Sequence, residues 1–400
     1  MSTFVGVGVE RLPWVSHLPP DLISRRQARR IPSHYDASIP ARIADADFTI
    51  STDLASRMEE ALHAIMVLDV SMTSAFDANP VAPLASVLLR TESASSSQIE
   101  HVTVSSRQLA IAEIGLSAST NANLVVGNVA AMRAAIDLAD RLDEAAILTM
   151  HAALMEATPH AKPGRWRDTQ VWIGASDFSP ADAAFVPPSA ERVPCAMADL
   201  NRFLQRADLP IIAHIALSHA QFETVHPFVD GNGRTGRALM HAMLRASGLV
   251  GHVTVPISAG LLSHIAEYVD ALTAYRSGDP DPIIETVTDA TWRATVLGTW
   301  LLSQLKDLVA SWRDRVRPRA GSALASLIPA LVSQPAVTIE TVVDTLHVSS
   351  TAARRAIDQA GAAGILTPSS DKKRNRVWLA SEVLTLLDDF AIRAGRRLLT

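Results

Sequence analysis

One stretch, residues 226–237, constrains the fold of this chain more than any other segment. It reads His-Pro-Phe-Val-Asp-Gly-Asn-Gly-Arg-Thr-Gly-Arg, and an apolar-periodic run lies on each side of it, residues 211–224 before and 238–246 after. Apolar side chains that recur every three to four positions predict helices. Pro227 ends the first helix, and Gly248 ends the second. The stretch is therefore predicted to be a tight turn between two helices.

The residues of this turn suit a bound polyanion. Gly231, Gly233 and Gly236 permit positive φ angles and bring backbone amides close to a ligand. The N-terminus of the following helix favours phosphate, because its first N–H groups are unpaired and its dipole is positive there. Arg234 and Arg237 lie three residues apart, so both guanidinium groups face one side and can bind phosphate oxygens.

Two further side chains add reactive chemistry. Asp230 is the only carboxylate of the turn, and a hard oxygen ligand suits Mg²⁺ that protein and phosphates hold jointly. His226 carries an imidazole that titrates near neutral pH, which suits a general base beside a bound phosphate. Each feature alone is more often structural, as a helix-end hydrogen bonder, a turn or solvated arginines. Their combination at this spacing favours a functional site.

The turn resembles, position for position, the signature His-x-Phe-x-Asp/Glu-Gly-Asn-Gly-Arg-x-x-Arg of Fic-domain proteins. The resemblance implies a mainly α fold, a Fic helical core with a small β-hairpin flap. It also implies transfer of AMP from ATP, with Mg²⁺ as cofactor, to a Ser, Thr or Tyr hydroxyl of a target protein. His226 would be the base and Asp230 the metal ligand. The nucleotide-binding residues would be Gly231, Asn232, Gly233, Arg234, Thr235, Gly236 and Arg237.

The region before the core, residues 1–104, is predicted to be a helical region that starts with an irregular, Pro-rich segment to about residue 45. Amphipathic patterns predict helices over 53–69 and 81–89. The stretch 91–104 is similar to the family's inhibitory helix, Ser/Thr-x-x-x-Glu-Gly/Asn. The alternative for that stretch is an ordinary polar helix start with a capping serine.

The resemblance to the inhibitory helix assigns regulatory roles to two residues. Glu100 would pair with Arg237 and block productive placement of the γ-phosphate, and Ser96 would fix the helix in place. His101 stands where the family has Gly or Asn, which is a departure from the pattern.

Residues 162–174 change to a β-like pattern, rich in β-branched and aromatic side chains between glycines, and predict a short hairpin. By resemblance this is the flap, which lies over the nucleotide and holds a target segment by main-chain pairing. Val171, Trp172 and Ile173 are the target-docking candidates, and Ile173 and Gly174 are also nucleotide-binding candidates. The alternative for Trp172 is a place in the core.

Tyr268 lies on a helix predicted over residues 261–275. The family often has Tyr-Tyr at this place, close to the adenine, so Tyr268 is a candidate to stack on the base. Val269 departs from that pattern. The core is predicted to extend over residues 105–316.

A separate C-terminal module is predicted after a linker over residues 317–322. Three helical patterns and a hairpin over 323–382 resemble a winged helix-turn-helix domain, and a further helix is expected over 383–400. Residues 311–400 carry 13 Lys and Arg against 8 Asp and Glu. If the module binds DNA, its contacts would come from Ser350, Arg354 and Arg355 on the third helix and from Lys372, Lys373 and Arg374 in the wing. The alternative is a protein-docking or dimerising module.

Length and composition bound the remaining possibilities. A chain of 400 residues, 48% of them hydrophobic, predicts two or three domains. Cys195 is the single cysteine, so an intrachain disulfide is excluded. The sequence has no long apolar run and no signal peptide pattern, so we expect a cytoplasmic protein without a membrane partner. We also expect a homodimer.

The sequence therefore predicts an AMP transferase that Glu100 holds inactive, with ATP and a protein target as partners. Two alternatives stay open. One is an enzyme that removes AMP, in which Glu100 positions water. The other is a DNA-binding regulator whose core only senses nucleotide.

Overall fold

The computed structural model describes residues 2–14, 31–73, 81–174, 179–369 and 376–395. Over these ranges the chain is mostly helical with a few short strands, which confirms the predicted fold class. None of the described helices is both long and apolar enough to cross a bilayer.

The secondary structure elements follow in chain order. The strands are β1 (Ser2–Thr3), β2 (Gly8–Pro13), β3 (His34–Ile39), β4 (Ala46–Asp47), β5 (Ala336–Val337), β6 (Thr367–Pro368) and β7 (Trp378–Leu379). The helices of the first half are α1 (Thr52–Thr73), α2 (Val81–Ile99), α3 (Ser106–Glu113), α4 (Thr120–Asp137), α5 (Glu144–Met155), α6 (Val193–Leu204) and α7 (Ile211–Val225). Those of the second half are α8 (Asn232–Ala246), α9 (Ile257–Leu262), α10 (Ile265–Arg276), α11 (Asp281–Val316), α12 (Ala323–Ser333), α13 (Ile339–Leu346), α14 (Ser350–Ala362) and α15 (Ser381–Arg393).

Internal contacts divide the chain into two compact units. The first comprises residues 1–56, 134–246 and 266–286, and the second comprises residues 57–133, 247–265 and 287–400. The division does not follow the predicted domain boundaries at 104 and 316. Three segments that the sequence assigned to the core, residues 105–133, 247–265 and 287–316, are grouped with the C-terminal module instead.

The first unit begins with strands, so the prediction of an irregular start to a helical N-terminal region is wrong. β2 pairs antiparallel with β3, with Gly8 opposite Ile39 and Pro13 opposite His34, and β1 pairs parallel with β4. The two long strands are joined by a long connection without a tight-turn signal, so a local hairpin pattern could not predict them.

The core of the first unit surrounds α7. Every residue of this helix from Ile212 to Val225 is buried, so it lacks the polar stripe of a surface helix. Its polar side chains find partners inside the unit: the Gln221 amide donates to the Ala41 carbonyl at 2.8 Å, and the Tyr275 hydroxyl donates to Gln221 Oε1 at 2.8 Å. These bonds join the central helix to the strands and to α10.

The second unit is built around α2. This helix continues through both predicted helices, 81–89 and 91–104, and ends at Ile99. From Thr91 to Ser97 its side chains are small or polar and all are buried. The carboxylate of Glu92 accepts hydrogen bonds from the amide and hydroxyl of Ser258, at 2.8 and 2.5 Å. Small side chains let neighbouring helices approach α2 closely.

The C-terminal module lies within the second unit. The predicted linker 317–322 contains no helix or strand. The three strands that follow form one antiparallel sheet in the order β5-β7-β6. Its residues Ala336 and Leu379 pack with Ala110 of α3 and Leu384 of α15. The predicted wing residues Lys372, Lys373 and Arg374 lie outside the described residues.

Candidate functional site

The candidate base is held at the end of α7. His226 caps this helix in the left-handed conformation, with φ 49° and ψ 61°, and its amide donates to the Phe222 carbonyl at 2.8 Å. The side chain is 19% exposed, and its Nδ1 lies 3.8 Å from Oε2 of Glu223. The sequence predicted the helix end through Pro227, but it gave no indication of the left-handed backbone.

The turn after His226 is fixed by the first residue of α8. Oδ1 of Asn232 accepts from the Phe228 amide at 2.8 Å, and its Nδ2 donates to the Phe228 carbonyl at 2.9 Å. Gly231 has φ 78°, and a Cβ at this position would lie 3.0 Å from Leu154 Cδ2 and 3.1 Å from Met155 Cε. Glycine is therefore required at 231 for both conformation and space.

Only one of the three glycines acts as predicted, because α8 begins at Asn232 rather than at 238. Gly231 has a positive φ, whereas Gly233 and Gly236 are helical. Gly236 serves packing instead. A Cβ there would lie 3.0 Å from Phe222 Cδ1 and 3.1 Å from Glu223 Oε1, so its absence lets α7 and α8 approach closely.

Two buried arginines lie on the first turns of α8. Arg234 is 5% exposed and Arg237 is 1% exposed. Nη2 of Arg234 lies 3.5 Å from Oδ1 of Asp230, whose side chain is 55% exposed. The first turn of a helix also offers N–H groups that the helix itself does not use. Two cations and these amides together create a positive potential that can hold phosphate groups.

Thr235 lies on the first turn of α8. It is fully buried, and its amide donates to the Gly231 carbonyl at 3.0 Å. Its contact with the nucleotide stays a prediction.

His151 of α5 is a site residue that sequence reasoning missed. Its Nδ1 accepts from the Gly164 amide at 3.0 Å, so Nε2 carries the proton and donates to the Asp230 carbonyl at 3.1 Å. The ring stacks on Phe228 at 3.6 Å between centroids. Burial lowers the pKa of His151 to about 4, against which the bond to Asp230 acts. A neutral histidine thus holds the turn in place through the Asp230 carbonyl and the Phe228 ring.

Comparison with known proteins bears on this same region. The Fic/DOC family profile matches residues 141–244. This segment is a Fic/DOC domain. It contains α7, the turn and most of α8, together with the predicted flap.

Relatives of the Fic/DOC domain are found among curated proteins. The chain is 28% identical over 162 residues to the protein named Protein adenylyltransferase Fic of Drosophila grimshawi, a match that spans 40% of this chain and 30% of that protein. It is 26% identical over 197 residues to the protein of the same name from Drosophila erecta, over 48% of this chain and 37% of that protein. The chain thus spans about a third of the length of these relatives.

A solved structure shares the fold. A Fic family protein from Desulfovibrio desulfuricans G20 matches with a TM-score of 0.52 at 20% identity, over 83% of this chain and 97% of that one. At this identity the likeness concerns the fold of the chain, including its Fic/DOC domain.

The predicted flap of the Fic/DOC domain pairs with a later segment than expected. No hairpin forms within residues 162–174. Instead Ile173 makes an isolated antiparallel bridge with Phe185, whose carbonyl accepts from the Ile173 amide at 2.9 Å. Gly174 has φ 80°, and a Cβ on it would lie 2.9 Å from the Cβ of Ala184. The glycine is needed for this close pairing.

The docking candidates Val171, Trp172 and Ile173 are all half-buried. The ring of Trp172 packs edge-on against Trp14, with 5.2 Å between centroids. Trp172 thus belongs partly to the core of the first unit, as the alternative interpretation proposed, and the three side chains keep part of their surface exposed.

Tyr268 lies outside the residues that the Fic/DOC profile matches. The residue is 4% exposed, and its hydroxyl lies 2.7 Å from Nε2 of His219, a contact between α10 and α7. Its stacking on the adenine stays a prediction.

The two regulatory candidates differ in exposure. Ser96 is fully buried within α2, whereas Glu100 is exposed and follows the last helical residue. The helix ends in a Schellman motif: the Val102 amide donates to the Ser97 carbonyl at 3.0 Å and the His101 amide to the Gln98 carbonyl at 2.9 Å. His101 has φ 61°, which explains why Gly or Asn suits this position. Arg237 belongs to the other unit, and its pairing with Glu100 stays a prediction.

Proposed function

We propose that this chain is a protein adenylyltransferase, which transfers AMP from ATP to a Ser, Thr or Tyr hydroxyl of a target protein. The observation that carries this function is the continuous helix–turn–helix that joins His226 to the buried pair Arg234 and Arg237. An imidazole is thereby fixed next to a positive helix N-terminus. The name of the curated relatives supports the same activity.

Different residues bind the phosphates and remove the proton from the target hydroxyl. The phosphates bind at the N-terminus of α8, held by Arg234, Arg237 and the amides of the first turn. Nδ1 of His226 faces Glu223, so Nε2 takes the proton of the target hydroxyl. The hydroxyl oxygen forms a bond to the α-phosphorus, the bond from that phosphorus to the bridging oxygen breaks, and pyrophosphate leaves. Positioning and charge neutralisation lower the barrier of such a reaction.

Asp230 is the residue that would hold Mg²⁺. Its carboxylate is 55% exposed beside Arg234, and among the described residues no group of three or more His, Cys, Asp or Glu could hold a metal alone. A single carboxylate fits Mg²⁺, which keeps several waters and takes its other ligands from phosphates. When bound, Mg²⁺ neutralises charge on the phosphates.

We further propose that Glu100 restrains this activity by pairing with Arg237. Glu100 lies at the exposed end of α2, in the stretch that resembles the family's inhibitory helix, and a carboxylate that occupies Arg237 would displace the γ-phosphate. Ser96 lies inside α2 and would fix the helix that presents Glu100.

The C-terminal module is proposed to be a winged helix domain. The order α12, β5, α13, α14, β6, β7 and the sheet order β5-β7-β6 support this assignment. Ser350, Arg354 and Arg355 are exposed on α14. Titration of labelled duplex DNA separates the two uses of the module. Salt-dependent binding that Arg354→Ala weakens would indicate DNA contact, and no binding would count against it.

The position of the label on ATP tests the proposed activity. The full chain carrying Glu100→Gly, which removes the proposed restraint, is incubated with cell lysate and ATP labelled at the α-phosphate or at the γ-phosphate. AMP transfer predicts protein labelling from the α-label alone, and His226→Ala abolishes it while His63→Ala, a change of an exposed histidine on α1, does not. Labelling from the γ-label would show phosphate transfer instead.

A further inference from the structure

Arg167 is a buried arginine that binds backbone carbonyls around His226. The residue is 2% exposed. Its Nε donates to the His226 carbonyl at 2.8 Å, and its Nη2 donates to the carbonyls of Val225 at 3.4 Å and Pro188 at 2.5 Å. Its Nη1 donates to the Thr169 carbonyl at 3.0 Å. The planar fork of one guanidinium thus joins three segments of the chain.

The main chain of Arg167 adds a further contact. Its amide donates to the Pro227 carbonyl at 2.9 Å, so residue 167 binds three consecutive carbonyls, those of 225, 226 and 227. The last carbonyls of a helix have no partner within the helix. His226 also needs support, because a left-handed backbone costs a non-glycine residue about 1–2 kcal/mol. Arg167 supplies the partners that keep this conformation.

The charge of Arg167 is balanced by dipoles rather than by a carboxylate. Within the described part of the chain, no Asp or Glu forms an ion pair with it. Burial lowers the pKa of its guanidinium to about 10, which leaves it protonated at neutral pH. The negative end of the α7 dipole offsets part of the cost of burying this cation.

The same guanidinium also binds both sides of the flap pairing. Thr169 lies two residues before the docking candidates 171–173, and Pro188 lies three residues after Phe185, which pairs with Ile173. Between them, the side-chain Nε2 of Gln170 donates to the Pro187 carbonyl at 2.9 Å. The backbone of His226 and both sides of the flap base are therefore tied to one side chain.

We propose that Arg167 is a positioning residue of the transfer reaction, which sets the His226 imidazole relative to the flap that presents the target hydroxyl. This role rests on the proposed function. Arg167 itself lies behind His226 and binds only backbone, so its loss should affect the reaction step more than the binding of ATP.

Steady-state kinetics of the full chain carrying Glu100→Gly, which removes the proposed restraint, test this role. Arg167→Met, which removes the donors, should lower kcat by about 100-fold, the effect of misplacing a reacting group by about 1 Å. The KM for ATP should stay within about threefold. Arg167→Lys should be intermediate, because a compact ammonium reaches fewer carbonyls than a guanidinium fork. Arg206→Lys is the matched control, since Arg206 also donates to a carbonyl, that of Ala46 at 2.7 Å. It should retain full activity.

A second readout does not depend on activity. Modification of His226 by diethyl pyrocarbonate, followed by mass spectrometry, should change in rate by at least about fivefold in Arg167→Met, because the ring leaves its fixed place. The exposed His160 should be unchanged. If Arg167→Met does not fold, Arg167→Lys decides in its place. Unchanged His226 reactivity, or a loss confined to the KM for ATP, would overturn the assignment. Absence of AMP transfer by the Glu100→Gly chain, which lacks the proposed restraint, would instead count against the proposed function alone.

Discussion

The carboxylate of Glu223 lies 3.8 Å from Nδ1 of His226, one helical turn before it on α7. Both side chains are mostly screened from solvent, with exposures of 9% and 19%. A carboxylate in this place stabilises an imidazolium once the ring has taken a proton. The signature that identified the site begins at His226 and does not include Glu223.

Replacing Glu223 by Gln should weaken His226 as a base. We expect a fall in kcat of about tenfold, since the protonated ring loses its nearest negative charge. The KM for ATP should change little. Glu156→Gln, at an exposed glutamate just after α5, is the control for loss of one negative charge. Equal rates in the two variants would show that Glu223 serves packing only.

Replacing Gly231 by Ala should abolish ATP binding. The change imposes the cost of a positive φ, about 1–2 kcal/mol, and it also places a Cβ against Leu154 and Met155. Gly248→Ala is a matched control, because Gly248 has φ 70° with nothing within 4 Å of a Cβ. Calorimetric titration with ATP should show lost affinity for the first variant and unchanged affinity for the second.

The buried His151 should make the chain sensitive to acid. Its pKa is about 4 in the folded state, lowered from 6.5 by burial. Between pH 6.5 and about 4 the unfolded chain binds a proton on this ring that the folded chain does not. The stability present above pH 6.5 is therefore lost progressively as the pH falls toward 4. It amounts to about 3 kcal/mol at most.

His151→Gln keeps one donor and one acceptor but cannot take up a proton. Between about pH 7 and pH 4.5 its melting temperature should therefore fall less steeply than that of the unmodified chain. His160→Gln, at an exposed histidine, should follow the unmodified chain. Parallel melting curves for all three proteins would remove His151 as a source of acid sensitivity.

Replacing His101 by Gly should stabilise the end of α2. The left-handed backbone at this position, φ 61°, suits glycine, so we expect a gain of about 0.5–1 kcal/mol. Thermal melting should show a small rise in the transition temperature. A fall would mean that the His101 side chain makes a stabilising contact that outweighs its backbone strain.

The part of the site that local chemistry dictates could be predicted from the sequence. Pro227 and Gly231 mark the turn, and the spacing of Arg234 and Arg237 places both on the helix that follows. The number of residues in that turn was overestimated, because Asn232 begins α8 by bonding the Phe228 backbone, a contact that no periodicity shows. Gly233 and Gly236 were predicted to lie in the turn because the start of α8 at Asn232 was not recognised.

Contacts between distant segments could not be predicted. Arg167 and His151 bind backbone atoms 59 and 79 residues away, and a bond to a carbonyl leaves no pattern in the sequence of either partner. The pairing of β2 with β3 was missed for a related reason, since no turn motif joins the strands. The contact of Tyr268 with His219, 49 residues away, is likewise invisible in the sequence.

The central claim is tested most directly by incubating two variants with ATP labelled at the α-phosphate. One variant carries Glu100→Gly alone, and the other carries Glu100→Gly together with His226→Ala. The account predicts that Glu100→Gly labels protein more strongly than the unmodified chain, and that adding His226→Ala removes the label. Equal labelling with and without His226, or no label in any form, would contradict it.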